Sequence, residues 1–284
     1  MFKTIQPLVW CFDAEWTPDP RAGRVLHQLP AEMSDPEVVV EMWRHGGATE
    51  EDPTPFLKTI LCRVVSIAAI QRKVRQDQVE LSLLWLPRDV ADPAQQAEAH
   101  VIGTFLQAVG KHRPQLVGYN SHSADLKILV QRALVNGLSA PDFCQRPDKP
   151  WEGPDYFARG SEHNLDLIET LGSWGKGSPS LHEVASLSGI PGKFDAEGED
   201  VAKMWLTGRW RAIIEYNCFD AITTYLVWLR MAHLAGHIAR DAYDEEQELL
   251  RHSMLEWMDK PDFQFLEKYL EEWDRLQHAT GQAG

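Results

Sequence analysis

Pro7-Leu8-Val9-Trp10-Cys11-Phe12-Asp13-Ala14-Glu15-Trp16 is the stretch on which the fold turns. Its apolar run is short and closed by acids, the pattern of a buried strand whose end meets charge. Side chains alternate across a strand, so Asp13 and Glu15 project to one face while Phe12 and Ala14 project to the other. Two carboxylates side by side repel each other, and burying them is costly unless cations compensate. Oxygen donors of this kind suit Mg²⁺ or Mn²⁺. Taken alone, the pair is equally compatible with an exposed strand end.

Beyond this strand, Thr17 to Thr59 is rich in Pro, Gly and charge with little periodicity, and reads as a long insertion or loop. Apolar stretches from Ile60 to Ile70 and from Val79 to Leu86 predict two more strands of the same sheet. Helical spacing follows over Gln95 to Gly110, a strand over Pro114 to Tyr119 and a helix over Ala124 to Asn136. Strands followed by alternating helix and strand indicate a mixed α/β sheet. Phe143 to Gly160 reads as a Pro- and Gly-rich loop. Leu165–Leu171, Leu181–Ser188 and Glu199–Leu206 read as short helices, and Trp210 to Ala235 as a long one. Arg240 to His278 is amphipathic, acidic and broken at Pro261. The expected organisation is a main domain over 1–240 and an acidic helical tail over 241–284 packed on it.

Two later sites carry acids in suggestive positions. In Gly118-Tyr119-Asn120-Ser121-His122-Ser123-Ala124-Asp125 a strand gives way to a polar turn, and Asp125 opens a helix. An acid there is also an ordinary helix-dipole partner, with Ser123 as an ordinary cap. In Glu215-Tyr216-Asn217-Cys218-Phe219-Asp220 the phenol and the final carboxylate are four apart and share one helix face.

An acid pair at a strand end, an aspartate after a later strand, and Y-x-x-x-D on a late helix occur here in that order. The combination resembles the DEDD superfamily of 3′–5′ exonucleases in its tyrosine-bearing branch, since the position five before Asp220 is Glu215 and not histidine. Pro114 to Asn120 with Asp125 to Leu134, Leu165-Asp166-Leu167, Ser180 to Ala185, Gly189 to Lys193 and Tyr216 to Arg230 look like bacterial exonucleases related to the proofreading domain of family-B DNA polymerases. The resemblance implies a ribonuclease H-like mixed sheet flanked by helices. It implies two Mg²⁺ or Mn²⁺ ions per site. Asp13, Glu15 and Asp220 would hold one ion, Asp13 would bridge to the second, Asp125 would complete that one, and Tyr216 would orient the attacking water. Asp166 is an expected supporting residue, or an ordinary capping acid. Trp16, Tyr119, Asn120 and Lys193 are candidate substrate contacts, Asn120 doubling as a turn former and Lys193 as a solvated surface charge. Two positions depart from the family: Ala124 stands where an aromatic residue is usual, and Trp16 where a small residue is frequent.

The composition agrees with a globular chain, with 44% hydrophobic and 25% charged residues over 284 positions. The net charge of −14 excludes a broad nucleic-acid-coating surface, which needs Lys and Arg to neutralise phosphates. From Asp241 onward there are 12 acids and 4 bases, a net of −8, leaving −6 for residues 1–240. A cleft gripping a few nucleotides is compatible with that. By the resemblance, the expected partner is the 3′ end of single-stranded nucleic acid, DNA in preference to RNA. Cys11, Cys62, Cys144 and Cys218 form no C-x-x-C pair, so reduced thiols in a cytoplasmic setting are expected, and no stretch has the length of a membrane span. Three other readings remain open: an inactive binding module on the same fold, a phosphatase using Asp13 in a loose D-x-D-x-T-like loop, and an exoribonuclease trimming RNA ends instead of DNA.

Overall fold

The opening strand, β1, runs two residues further than the apolar pattern, over Leu8–Pro18, in a computed structural model describing residues 2–149, 151–158, 160–172, 177–192 and 200–281. It lies at the centre of a five-stranded sheet of order β3-β2-β1-β4-β5. β2 (Cys62–Arg75) and β3 (Gln78–Leu86) extend the sheet antiparallel on one side, and β4 (Gln115–Gly118) and β5 (Asn164–Asp166) extend it parallel on the other. Helices α1 (Pro20–His27) and α2 (Asp35–His45) follow β1. Short α3 (Pro93–Gln96), α4 (Glu98–His112), α5 (Asp125–Val135) and short α6 (Pro141–Cys144) surround β4. The second half is helical: α7 (Leu167–Leu171), α8 (Leu181–Leu187), α9 (Asp200–Leu206), α10 (Trp210–Leu234), α11 (Arg240–Trp257) and α12 (Leu266–Thr280). This is the mixed five-stranded sheet flanked by helices that the resemblance to ribonuclease H-like exonucleases implies.

The alternation of β1 divides the core. Val9 and Cys11 join the apolar cluster built around α10, while Trp10, Phe12 and Ala14 join the cluster built with α4 and α5. α10 is buried around most of its circumference, which suits a helix that is apolar on nearly every face. Each fully buried Ile, Leu or Val there contributes about 1.5–3 kcal/mol of transfer free energy. The acidic tail contributes to this same core through Leu250, Met254, Leu266, Tyr269 and Trp273. A buried Arg72–Glu246 pair, with Nε–Oε1 and Nη2–Oε2 at 2.6 and 2.9 Å, ties α11 to β2, and the Tyr225 hydroxyl donates to the same carboxylate at 2.6 Å.

The segment after β1 differs from the expected loop. Asp19 accepts the Arg21 N–H and Pro20 opens α1, while Glu37 accepts the Ser34 N–H at the start of α2. The two helices are 8 and 11 residues long, too short to show a sustained apolar stripe in sequence. They pack on one another at Gly23, where a Cβ would fall 2.7 Å from both Met42 Sδ and Val38 Cγ1. Residues 164–166 form a strand where a helix was expected from Leu165. Their conformation is set by pairing with Leu116 to Gly118 of β4, which periodicity does not encode. Among the described residues no helix is long and apolar enough to cross a membrane.

One buried guanidinium joins the elements that carry the site. Arg132 on α5 donates to Asp19 Oδ2 at 2.6 Å and to Glu98 at 2.7 and 2.8 Å, and reaches the Ile60 carbonyl at 3.2 Å. It thereby fixes the exit of β1, the start of α4 and the approach to β2 against the helix that opens with Asp125. Removing one partner of such a buried pair leaves uncompensated charge, at a cost of about 3–5 kcal/mol. Arg132→Ala is expected to lose stability on that scale in urea denaturation. A loss below about 1 kcal/mol, the range of surface ion pairs, would show the network to be dispensable.

Candidate active site

The C-terminal half of β1 and the end of β4 meet the N-terminal half of α10, and four carboxylates gather there. One ligand oxygen from each of Asp13, Glu15 and Asp220 falls within a common 4.8 Å. Asp125 reaches the group from α5, its Oδ1 accepting the Ala14 N–H at 3.0 Å. Its route there is a tight turn: a Cβ on Gly118 would lie 2.5 Å from Ser121 Cβ, and Asn120 takes a left-handed φ of 62°. All four sequence-expected acids are thus brought together.

The sheet is shaped for this cluster. Ser66 opposes Glu15 and Val64 opposes Trp16, so Val65 is an extra residue in β2. A bulge of this kind re-aims neighbouring side chains. Val65 packs with Met204, Ile213 and Tyr216, and Ser66 donates its hydroxyl to Asn217 Oδ1 at 2.7 Å. Asn217 Nδ2 in turn donates to Asp13 Oδ2 at 2.7 Å. The Tyr216 hydroxyl bonds to the Asp220 carboxylate one helical turn on and faces Asp13 and Glu15.

Burial raises the Asp13 carboxyl well above its ordinary value, and Asp125, Glu15 and Asp220 raise it further against the lowering effect of Asn217. Burial also lifts Asp125 to about 7, with Asp166 and Asp220 adding to the rise and the Ala14 N–H opposing it. Tyr216 is pushed far above its ordinary range by burial and then by Asp220, Glu15 and Asp13, so it keeps its proton. The charges acting most strongly on Asp13 are those of the other three carboxylates. An all-oxygen donor set under mutual repulsion, held by uncharged donors, fits hard divalent cations.

The remaining expected residues fall in different places. Trp16 lies half-buried against the core on the opposite face from the acids. Tyr119 also packs on the core and donates its hydroxyl to the Pro179 carbonyl at 2.6 Å. Asn120 forms the turn, its N–H donating to Asp166 Oδ1 at 2.7 Å. Asp166 also accepts the N–H groups of His122 and Ile168, so it holds the loop that aims Asp125. Ala124 precedes α5 as its N-cap with no side-chain hydrogen bond. Lys193, and Lys176 in its loop, lie outside the described residues. A second cluster, His122, Asp166 and Glu169, also gathers ligand atoms within 4.8 Å, but Asp166 is spent on backbone N–H groups and His122 Nδ1 sits 3.0 Å from Glu169. Asn217 and Ser66 were not singled out from sequence. Asn217 lies three residues before Asp220, on the same helix face, which is the one local signal it carries.

A family model described as a predicted 3′–5′ exonuclease related to the exonuclease domain of PolB matches residues 54–273. The match takes in Asp125, Asp166, Tyr216, Asp220 and most of the acidic tail, and begins after Asp13 and Glu15. Among solved structures, the family B DNA polymerase from the hyperthermophilic archaeon Pyrobaculum calidifontis is similar over 80% of this chain at 17% identity and a TM-score of 0.49. This chain covers 24% of that polymerase. No curated protein matches.

The electrostatics predict a pH dependence. The folded protein holds a proton on Asp125 up to about pH 7, whereas the unfolded chain releases it near the ordinary 3.8. This contribution to metal-free stability is complete below about pH 4 and is lost as pH rises through 7. Melting in EDTA is expected at progressively lower temperature from pH 5 to 8, with roughly 2–4 °C for each kcal/mol lost. Asp125→Asn is expected to flatten that decline. Identical profiles for the two proteins would contradict the assignment.

Proposed function

Because this chain belongs to the family of predicted 3′–5′ exonucleases related to the exonuclease domain of PolB, we propose that it removes nucleotides from the 3′ end of single-stranded nucleic acid, DNA in preference to RNA, using two Mg²⁺ or Mn²⁺ ions. The observation that carries this reading is the convergence of Asp13, Glu15 and Asp220 from opposite ends of the chain, with Asp125 hydrogen-bonded to the same strand. Bound divalent ions would activate water and offset charge on the departing 3′ oxygen.

The protein groups have separable tasks. Asp13, Glu15, Asp125 and Asp220 would hold the divalent cations. Asn217, steadied by Ser66, fixes the orientation of Asp13. Tyr216 keeps its proton and orients the attacking water by hydrogen bonding, since its raised pKa makes it no base at neutral pH. Asp166 holds the turn before α5 in place. The tail over 241–284 supports α10 from behind as part of one folded unit with residues 1–240, consistent with its burial in the α10 core. The four cysteines are free thiols, in keeping with a cytoplasmic setting.

Trimming of a 3′-labelled single-stranded oligonucleotide tests the reading. With Mn²⁺ or Mg²⁺ the wild-type protein is expected to shorten DNA from the labelled end and to act more slowly on the matched RNA. Asp13→Ala and Asp220→Ala are expected to lose about 10³-fold or more in rate, the scale for removing charge-stabilising groups. Tyr216→Phe is expected to lose about 10²-fold in kcat while binding Mn²⁺ normally, within the range for positioned proton-handling groups. A fully active Tyr216→Phe protein would remove the tyrosine from the mechanism. Faster action on RNA would reverse the substrate preference.

A further inference from the structure

Thr17 continues the carboxylate face of β1 two residues beyond Glu15, and its register partner on β2 is Arg63. The Arg63 guanidinium lies over the Trp205 ring, 5.2 Å from its centroid. Trp205 belongs to α9, which packs against both β1 and α10, and it is a half-buried neighbour of the cluster that contains Tyr216. An arginine and a flat ring therefore stand together on the carboxylate face of the sheet, at the register position two residues past Glu15.

Among the described residues this arginine is treated unlike Arg72 and Arg132, which are both paired with buried carboxylates. Arg63 Nε is enclosed without a hydrogen-bond partner, and so is the Thr17 hydroxyl. An enclosed, unsatisfied donor costs about 1–3 kcal/mol. In a chain with 42 acids and a net charge of −14, an acidic partner was available in abundance. A guanidinium laid on an aromatic face keeps its planar fork for bidentate recognition of phosphate, and an indole offers any base a stacking surface.

We infer that Arg63 and Trp205 form a nucleotide subsite next to the catalytic carboxylates, taking a backbone phosphate of the single strand on the guanidinium and an adjoining base on the indole. This rests on the nuclease reading and supplies what that site lacks. The acids can meet phosphate only through cations, so the portion of strand beyond the metals requires a cation from the protein itself. Arg63 provides it, and its grip tolerates any base sequence because neither contact reads base edges.

The test compares full-length wild type, Arg63→Gln, Arg63→Lys and Trp205→Ala, with folding checked by thermal melting. Kinetics with Mn²⁺ are measured on a twelve-nucleotide oligothymidylate and on thymidine 5′-(p-nitrophenyl phosphate), which has no neighbouring nucleotide. Arg63→Gln is expected to raise KM on the oligonucleotide about tenfold with kcat unchanged and to match wild type on the small ester, and Trp205→Ala is expected to raise KM on the oligonucleotide by a similar factor. Anisotropy of the labelled oligonucleotide in EDTA gives a readout independent of turnover. The slope of log affinity against log salt is expected to shrink by about 0.7 in Arg63→Gln, one phosphate's worth, and to be retained in Arg63→Lys. A wild-type KM and salt slope in Arg63→Gln, equal losses on both substrates, or no binding by wild type would overturn the subsite. Wild type that binds but hydrolyses neither substrate would sink the nuclease reading alone, leaving the salt slopes to decide the subsite.

Discussion

Mutual repulsion among Asp13, Glu15, Asp125 and Asp220 is the constraint around which this molecule is organised. Folding alone does not favour it: burial and like charge both raise the Asp13 carboxyl, and burial lifts Asp125 to about 7. Among the described residues, three of the acids are met by neutral donors. Asn217 holds Asp13, the Ala14 N–H holds Asp125, and the Tyr216 hydroxyl holds Asp220. Neutral donors fix geometry without cancelling charge, so the cluster keeps the negative charge that divalent cations would offset.

Holding such a cluster open requires a stiff frame, and the frame is found one layer out. Arg132 draws Asp19 and Glu98 together behind α5, and Arg72 joins β2 to α11 through Glu246. Here opposite charges are paired and enclosed, the reverse of the site. The tail helices back α10 with aromatic side chains, Tyr269 touching Thr223 through its hydroxyl at 3.0 Å. The face of α10 bearing Tyr216, Asn217 and Asp220 is thus supported from behind.

The parts legible in sequence were those with local signals. The apolar run ending in Asp13 and Glu15, the turn before Asp125, and the spacing of Tyr216 to Asp220 each declare themselves within a few residues. The helices α1 and α2 were lost in a Pro- and charge-rich stretch, although Asp19-Pro20 and Ser34 with Glu37 are readable starts. β5 was missed because three residues take their conformation from β4. The contact of Asn217 with Asp13, the bulge at Val65 and the stacking of Arg63 on Trp205 join distant segments, and nothing in the local spacing of either partner announces the other.

The family match begins at residue 54, so the union of Asp13 and Glu15 with the matched acids is the structural claim on which the chemistry depends. Anomalous diffraction from crystals soaked in Mn²⁺ measures it directly. Two manganese peaks about 3.5–4 Å apart, the spacing of two-metal sites, are expected, with Asp13 touching both. A single peak confined to His122, Asp166 and Glu169, or none near Asp13, would contradict it.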